Sequence, residues 1–351
     1  MKGLGLVLAG GGGKGAYQIG VWKYLREYGI DNYISCVSGT SVGALNAALF
    51  AAGDITVAED VWRNISPSQI LSPKRITARQ ILQCFMGIGL SGTVKVSPFI
   101  SGIGKGIRAS TGLMALDMLA PVWASALSRS YTFSREGLTQ VMTDSIDFER
   151  IRRNPIPCYA TCLRIPDFQV ERFDLRSYSS EDVQHILLAS SAIPVVFDKV
   201  QFKGRYYYDG GLPLVGDNVP IEPVYQSGVK NILVIHLSRD CVIDHTKYPN
   251  ARIIEIIPRT DLGGPIDGTL DFTSKGAAWR IEQGYQDAVR VFLPFIEMMK
   301  IGYANKTQLE YYRRLDTLFN ERMRYFQIRD SECMAQRHSD GFDQMCKDLG
   351  L

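Results

Sequence analysis

The chain has 351 residues, of which 46% are hydrophobic and 21% charged, a composition typical of a globular protein with a large core. A formal net charge of +3 is too small to indicate a polymeric nucleic acid as partner. No apolar run reaches the roughly 18 to 20 residues that span a bilayer. The seven cysteines contain no Cys-x-x-Cys pair and no signal peptide precedes the first strand. We therefore expect a cytoplasmic protein with no bound metal and no cofactor.

The first predicted strand, residues 4–9, leads directly into a glycine-rich loop, residues 10–15, which a helix over residues 16–28 follows. Backbone amides are exposed in such a strand-to-helix turn, and glycine side chains cannot obstruct a ligand. A Walker phosphate loop is excluded, because Lys14 precedes the last glycine and no Ser or Thr follows a Gly-Lys pair.

Three interpretations of the glycine loop stay open. Gly10, Gly12 and Gly15 formally satisfy the dinucleotide fingerprint Gly-x-Gly-x-x-Gly, but no acidic residue ends the second strand to hold a ribose, since Asp31 precedes that strand. In the second interpretation the loop is an oxyanion hole beside a nucleophile on the neighbouring strand. In the third it is only a structural turn. The oxyanion interpretation agrees best with the segment that follows.

That segment predicts a nucleophile. A buried strand over residues 33–38 and a helix over residues 44–52 enclose the pattern Gly-x-Ser-x-Gly, in which Gly39 and Gly43 flank Ser41. The small residues permit a sharp turn, so that the Ser41 hydroxyl projects above the sheet. The helix that starts there points its amides at developing negative charge. A Ser/Gly turn that caps an ordinary core helix remains the alternative.

The middle of the chain is less regular. Residues 66–130 are rich in Ser, Pro and Gly, and their apolar part, residues 113–127, is either a lid over an apolar cleft or an inserted helical subdomain. An amphipathic helix is predicted over residues 137–151. Strands over residues 156–163 and 168–173 and a helix over residues 183–190 follow.

A tyrosine-rich strand, residues 204–208, ends at Asp209, which Gly210 and Gly211 follow. Asp-Gly is also a common hairpin turn, so the motif alone carries no functional weight. A serine nucleophile, however, needs a base, and none of the four histidines, at 185, 236, 245 and 338, sits in a recognisable motif. Further strands are predicted over residues 232–237 and 252–257, and helices from residue 276 to the end.

These residues together resemble the patatin-like phospholipase family. The loop over residues 10–15 matches its Gly-Gly-Gly-x-Lys/Arg-Gly pattern, residues 39–43 its serine elbow, residues 209–211 its Asp-Gly-Gly/Ala motif and residues 189–194 its Ala-Ser-x-Ala-x-Pro block. The resemblance implies a three-layer α/β/α fold with a mainly parallel sheet. It places a phospholipase domain at residues 1–270, with residues 66–130 as the insertion, and a helical extension at residues 271–351.

The resemblance also implies a mechanism. Ser41 would attack an ester carbonyl of a membrane phospholipid, and Asp209 would act as base, first for the serine and then for a water molecule. Amides of Gly11, Gly12, Gly13 and Val42 would hold the oxyanion, and Lys14 would have a structural or general electrostatic role. An aspartate with an unperturbed pKa near 3.9 is a weak base for an alcohol, so the dyad needs a pre-organised site.

A narrower resemblance concerns the phospholipase effectors of bacterial anti-phage systems, which a cyclic dinucleotide activates and which degrade the cell's own membrane. It implies a peripheral contact with the inner membrane and a nucleotide activator, and it leaves a homo-oligomer open. Two alternatives remain: a serine hydrolase with a histidine base, and a non-catalytic dinucleotide-binding module.

Overall fold

The structure, a computed structural model, describes residues 3–70, 72–75, 131–194 and 196–348. The predicted lid over residues 113–127 lies outside these residues. The strands are β1 (Leu4–Leu8), β2 (Ile34–Thr40), β3 (Ser72–Arg75), β4 (Tyr131–Ser134), β5 (Cys158–Ile165), β6 (Gln169–Asp174), β7 (Val200–Phe202), β8 (Arg205–Asp209), β9 (Asn231–Ile235) and β10 (Arg252–Ile256).

The helices of the described residues are α1 (Ala16–Glu27), α2 (Val42–Ala52), α3 (Ile55–Asn64), α4 (Pro67–Ile70), α5 (Glu136–Ser145), α6 (Phe148–Arg153), α7 (Ser180–Ser190), α8 (Ile221–Gln226) and α9 (Ser274–Asp348). Short 3-10 turns include Gly12–Gly15, in the glycine-rich loop. In these residues no helix carries an apolar segment long enough to cross a membrane.

The main sheet is mixed and mostly parallel, as predicted. Its strand order is β10-β9-β1-β2-β5-β8-β7, and β6 pairs with β5 on the other side. The strands from β10 to β5 run parallel, whereas β6, β8 and β7 are antiparallel to their neighbours. The prediction that the first two strands lie side by side is confirmed, because Leu8 pairs with Gly39.

Helices cover both faces of this sheet. Helix α8 packs on one face, where Val224 and Ile221 join a buried cluster with Val7, Ile232 and Val234. Alternate residues of a strand point to opposite faces. The residues of β1 and β9 that point away from α8 are also buried. On that second face, α2 contacts β1, β2 and β5. This arrangement explains why the first strands are apolar throughout rather than alternating.

Strand β5 has a register that brings two distant strand ends together. Its residues 159–161 pair with both β2 and β6, and its residues 162–164 pair with both β6 and β8. Strand β8 therefore lies on the same side of β5 as β2. Strand β2 ends with Thr40 opposite Thr161, and β8 ends with Asp209 opposite Cys162. The carboxyl ends of β2 and β8 thus meet along one edge of β5.

The helix predicted over residues 137–151 is in fact two helices, α5 and α6. Ile146 between them is extended, with φ −107° and ψ 117°. The side chain of Asp147 then caps α6 by accepting a hydrogen bond from the Arg150 amide at 2.9 Å. An Asx cap inside an apolar helical pattern offers the backbone an alternative to a continued helix, which the spacing of apolar residues does not reveal.

The chain divides into two compact units, residues 1–290 and 291–351. Within the first unit, the start of α9 packs closely on α1. A Cβ at Gly284 would lie 1.9 Å from the Tyr17 carbonyl oxygen, and a Cβ at Gly20 would lie 1.8 Å from that of Ile281. The Tyr17 hydroxyl donates a buried hydrogen bond to Asp287 at 2.8 Å. Glycine at these two positions lets the helix backbones touch.

We expect Gly284→Ala to lower the free energy of unfolding by about 1–3 kcal/mol, because the added methyl group must displace backbone. Urea titration monitored by circular dichroism measures this. Gly302→Ala is the matched control, since it lies in the same helix with nothing within 4 Å of the new Cβ. It should be neutral or stabilise by up to about 1 kcal/mol. Equal effects of the two substitutions would contradict the packing argument.

Candidate active site

Ser41 occupies a sharp turn between β2 and α2. Its backbone has φ 57° and ψ −128°, a left-handed conformation that is costly for a residue with a side chain. The serine is buried, with 5% of its surface exposed. A strained serine at a strand-to-helix turn is the geometry of a nucleophile elbow. The alternative of an ordinary serine cap does not fit, since the Ser41 side chain makes no capping hydrogen bond to α2.

The two glycines of the elbow are required by space. A Cβ at Gly39 would lie 2.1 Å from the Gly43 carbonyl oxygen, and a Cβ at Gly43 would lie 2.2 Å from the Leu8 carbonyl oxygen. The first contact lets the turn close on itself, and the second lets α2 start directly against β1.

Asp209 meets Ser41 because of the register of β5. The Ser41 hydroxyl lies close enough to this carboxylate to lower its pKa, and the carboxylate accepts a hydrogen bond from the Gly211 amide at 2.7 Å. Asp209 is buried, with 4% of its surface exposed. Gly210 is packed under the strand, since a Cβ there would lie 2.3 Å from the Thr161 carbonyl oxygen. The structure thus brings together the two residues that the sequence pairs as nucleophile and base.

Burial raises the pKa of Asp209 to about 6, and the hydrogen bonds from Ser41 and Gly211 act against that rise. The carboxyl is therefore a stronger base than the unperturbed aspartate expected from the sequence.

The glycine-rich loop lies beside this pair. Gly11 and Gly12 line a cavity together with Ser41 and Asp209. Among the described residues, the amides of Gly11 and Gly12 have no protein acceptor, whereas that of Gly10 donates to the Asn218 carbonyl at 3.1 Å. Gly12 has φ 56°, and a Cβ there would lie 2.2 Å from the Thr269 carbonyl oxygen. The amides of Gly11 and Gly12 are thus free to meet a negatively charged oxygen.

Gly13, Gly15 and Val42 complete the set of residues expected at the oxyanion site. Gly13 is buried beneath the loop over residues 268–271, where a Cβ would lie 2.2 Å from the Asp271 carbonyl oxygen. Val42 is the first residue of α2, so its amide has no acceptor within that helix. Gly15 packs against Val42, because a Cβ there would lie 2.5 Å from the valine methyl group.

Two buried amide side chains hold the ends of the glycine loop, and sequence reasoning missed both. Gln18 on α1 donates to the Ala9 carbonyl at 2.8 Å. Asn46 on α2 donates to the Gly15 carbonyl at 3.0 Å and to the Gln18 side chain at 2.8 Å, and it accepts from the Trp62 indole at 3.0 Å. The available sequence signal was a polar residue within an otherwise apolar helix, which indicates a buried amide that needs hydrogen-bond partners.

The block over residues 189–194 supports the serine and the aspartate alike. The Ser190 hydroxyl accepts from the Ser41 amide at 3.0 Å and donates to the Thr161 carbonyl at 2.7 Å. The Ala192 carbonyl accepts from the Asp209 amide at 2.9 Å. The sequence pointed to this block only by resemblance, and the structure gives it a physical role.

Two cavities meet at Ser41. One has a volume of about 290 Å³ and contains the polar groups: the glycine loop, Lys14, Asp209 and Asn218. The other has a volume of about 80 Å³ and is lined almost wholly by apolar side chains, including Leu45, Leu49, Met142, Ile146, Phe197 and Phe272. Ser41, Gly12 and Ile193 line both cavities. An extended apolar molecule with one polar end therefore fits with its junction at the serine.

The described histidines do not approach Ser41. The buried His236 pairs through Nε2 with Glu255 at 2.9 Å, and His245 contacts the same carboxylate at 3.4 Å. His185 bonds the Glu181 carbonyl at 2.9 Å on α7. The side chain of His338 lies outside the described residues. These contacts disfavour the interpretation with a histidine base, whereas Asp209 lies beside Ser41.

The dinucleotide interpretation also lacks its features. Asp31 precedes β2, and its carboxylate accepts a hydrogen bond from the Trp22 indole at 3.3 Å and pairs with Arg26. It is therefore not placed to hold a ribose. The loop over residues 268–271 covers Gly12 and Gly13 at backbone contact distance, where a pyrophosphate would need room. A structural turn alone does not explain why Gly11 and Gly12 face a cavity beside Ser41.

Comparison with known proteins agrees with this geometry. A family model described as patatin-like phospholipase matches residues 6–225. The chain is 52% identical over 50 residues to lysophospholipase nte1 of Aspergillus terreus, and 50% identical over 48 residues to the patatin-like phospholipase domain-containing protein ZK370.4 of Caenorhabditis elegans. Each match covers 14% of this chain and only 3% of the relative's length.

Among solved structures, the chain is similar to VipD from Legionella pneumophila, with a TM-score of 0.46 and 17% identity over 83% of this chain and 67% of that chain. It is also similar to the type III effector ExoU of Pseudomonas aeruginosa, with a TM-score of 0.40 and 17% identity over 84% of this chain and 53% of that chain.

Proposed function

Because this chain belongs to the patatin-like phospholipase family, we propose that it hydrolyses fatty-acyl esters of membrane phospholipids with Ser41 as nucleophile and Asp209 as base. The observation that carries the proposal is that the strained Ser41, which borders both cavities, lies beside the buried Asp209 and lowers the pKa of its carboxyl. A hydroxyl paired to a base beside unbonded amides is the arrangement that acyl transfer needs.

The reaction proceeds in two steps. The Ser41 oxygen attacks the ester carbonyl carbon while its proton passes to the Asp209 carboxylate. The tetrahedral intermediate then expels the alcohol, which takes that proton from Asp209, and the acyl group remains on Ser41. Water attacks this acyl ester, gives its proton to Asp209, and the fatty acid leaves as the serine regains its proton.

The oxyanion of each intermediate would accept hydrogen bonds from the amides of Gly11 and Gly12, supplemented by those of Gly13 and Val42. Support comes from the unbonded state of the first two amides and from their place on the cavity beside Ser41. Fixed donors of this kind act in the transition state without reorganising, and loss of one donor typically costs about 10²–10³-fold in kcat.

The apolar cavity is suited to the acyl chain of the substrate. Leu45, Leu49 and Phe197 are among the side chains that line it, and it opens at Ser41. A buried alkyl chain contributes about 0.8 kcal/mol for each CH₂ group removed from water, which is enough to select long acyl chains. The polar cavity on the other side of Ser41 is left for the alcohol portion.

Membrane contact and activation belong to the same proposal. In the second unit, an apolar stripe recurs at helical spacing on α9 and is exposed at Met298, Ile301, Tyr312 and Phe319. Exposed arginines at 313, 322, 324 and 329 lie near it, together with exposed acidic residues at 297, 310, 316 and 321. An exposed apolar helix face favours insertion at a membrane interface. We infer that this stripe contacts a membrane surface, and vesicle co-sedimentation that is unchanged by Phe319→Glu would refute the contact.

Activation by a cyclic dinucleotide rests on the sequence resemblance alone. It stays a prediction, together with the role in anti-phage defence and the cytoplasmic location. Hydrolysis rates that do not respond to any added cyclic dinucleotide would remove its support.

We expect Ser41→Ala and Asp209→Asn each to lower ester hydrolysis by at least about 10⁴-fold, since each removes one member of a unit that acts together. A fluorophosphonate probe should label the wild-type protein at Ser41. Ser227→Ala, which removes a hydrogen bond to the Val224 carbonyl far from Ser41 in the fold, is the control and should keep full activity. Full activity of the Ser41 variant, or a label that maps elsewhere, would refute the nucleophile.

The pH dependence of hydrolysis follows from the pKa of Asp209. Since only the ionised carboxylate accepts the serine proton, kcat/KM for an uncharged ester should fall tenfold per pH unit below about pH 6 and stay level up to pH 8. A profile measured with p-nitrophenyl butyrate between pH 4.5 and 8 tests this. A midpoint near pH 4, or no dependence in this range, would contradict the effect of burial on the base.

We expect Leu45→Trp to shorten the acyl chains that the enzyme accepts, because the larger ring fills the apolar cavity near Ser41. The value of kcat/KM should fall at least about tenfold for a palmitoyl ester and less than about threefold for a butyryl ester. Val242→Trp, at a position with 93% exposure, should change neither. Equal losses on both esters would argue against an acyl site.

A further inference from the structure

Lys14 is a buried cation that the proposed reaction does not use. Only 8% of its surface is exposed, although it lies in the turn Gly12–Gly15 directly beside the amides of the glycine loop. Burial of a charged group is unfavourable unless a partner compensates it. Lys14 therefore requires an explanation in terms of what its ammonium group meets.

The described residues provide no direct partner for the Lys14 ammonium. It has no hydrogen bond or ion pair among them. The carboxylates of Asp261 and Asp267 attract it through space, and the guanidinium of Arg280 repels it. Both carboxylates are turned to the amides of their own loop: Asp261 accepts from Gly263 at 3.0 Å, and Asp267 accepts from Gly264 at 2.7 Å.

Arg280 is a second buried cation beside the same loop, and protein groups bind it. It is equally buried, with 2% of its surface exposed. It pairs with the Asp271 carboxylate at 3.0 Å and donates to the carbonyls of Leu262, Asp267 and Asp271 at 2.8–3.3 Å. Arg280 is thus bound by several protein groups, whereas Lys14 has no acceptor among the described residues.

The position of Lys14 is fixed. Its alkyl chain lies against the backbone of Gly268, where a Cβ would come within 2.7 Å of the lysine Cε. The residue lines the polar cavity that also contains Ser41, Asp209 and Asn218. Lys14 therefore lies on the wall of the polar cavity and not on that of the apolar one, so it borders the space left for the alcohol portion of a cleaved ester.

We infer that Lys14 binds the phosphodiester of the phospholipid head group and so determines the preference of the enzyme for phospholipids over neutral lipids. The inference rests on the proposed function. An anionic phosphate supplies the acceptor oxygens that the ammonium lacks in the protein, and lysine is a common phosphate ligand. The loss of solvation of the lysine, which lowers its pKa, is offset when that phosphate enters.

The test compares two substrates with the same acyl chains, phosphatidylglycerol and diacylglycerol, presented in the same neutral detergent micelles. Lys14→Met should lower kcat/KM for phosphatidylglycerol by about 10–100-fold, the range expected for a lost charged hydrogen bond. The loss on diacylglycerol should be far smaller. Lys14→Arg should restore at least part of the selectivity, and Lys275→Met, which removes an exposed lysine, should not alter it.

A second arm separates the head group from free phosphate. Inorganic phosphate should inhibit wild-type hydrolysis of diacylglycerol only weakly, and a short-chain phosphatidylglycerol should bind the Ser41→Ala protein more tightly than phosphate does, with Lys14→Met removing the difference. Tighter binding of inorganic phosphate than of the lipid would overturn the inference in favour of a free-phosphate site.

The remaining outcomes distinguish the inference from the proposed function. Equal losses on both lipids in Lys14→Met would mean that the lysine only supports the glycine loop, and would overturn the inference while hydrolysis by Ser41 stands. Unchanged rates on both would overturn it as well. A wild-type protein that hydrolyses neither lipid and is not labelled at Ser41 would overturn the proposed function, and the inference with it.

Discussion

The candidate site depends on one feature of the sheet, the sharing of a single edge of β5 by two strands that run toward each other. Parallel β2 occupies the first half of that edge and antiparallel β8 the second half, so their carboxyl ends meet at Thr161 and Cys162. Backbone pairing therefore sets the distance between Ser41 and Asp209, and no flexible loop has to be ordered to bring them together. The carboxylate is buried for the same reason, which makes it a stronger base.

The groups around this pair are held by buried hydrogen bonds rather than by apolar contact alone. Gln18 and Asn46 hold the ends of the glycine loop, and the Asn218 carbonyl binds the Gly10 amide. Ser190 connects the elbow to β5. A buried network in which each member is satisfied fixes one arrangement of the backbone. Within the described part of the chain, the amides of Gly11 and Gly12 remain unbonded donors in that fixed frame, as an oxyanion hole requires.

Much of this arrangement could be predicted from local patterns. Leu4–Leu8, the glycine loop and the Gly-x-Ser-x-Gly elbow each follow from residues that are adjacent in sequence, and so the first two strands and their turns were predicted within one or two residues. The pairing of Ser41 with Asp209 was predicted only through resemblance, because register across β5 is a long-range property. Gln18 and Asn46 were missed, because their partners lie on other elements, and Ser190 was indicated only as part of the block over residues 189–194. The break at Ile146 escaped prediction because a capping aspartate competes locally with an uninterrupted apolar pattern.

The separation of Ser41 and Asp209 along the chain has a consequence for when the site forms during folding. The pair forms only after β5 has been laid beside β2 and the much later β8 has been added to the same edge. Pairing between such distant segments is intrinsically slow, because the chain between them loses entropy when it closes. A chain in which β8 has not yet been added to β5 therefore lacks the proposed base beside Ser41.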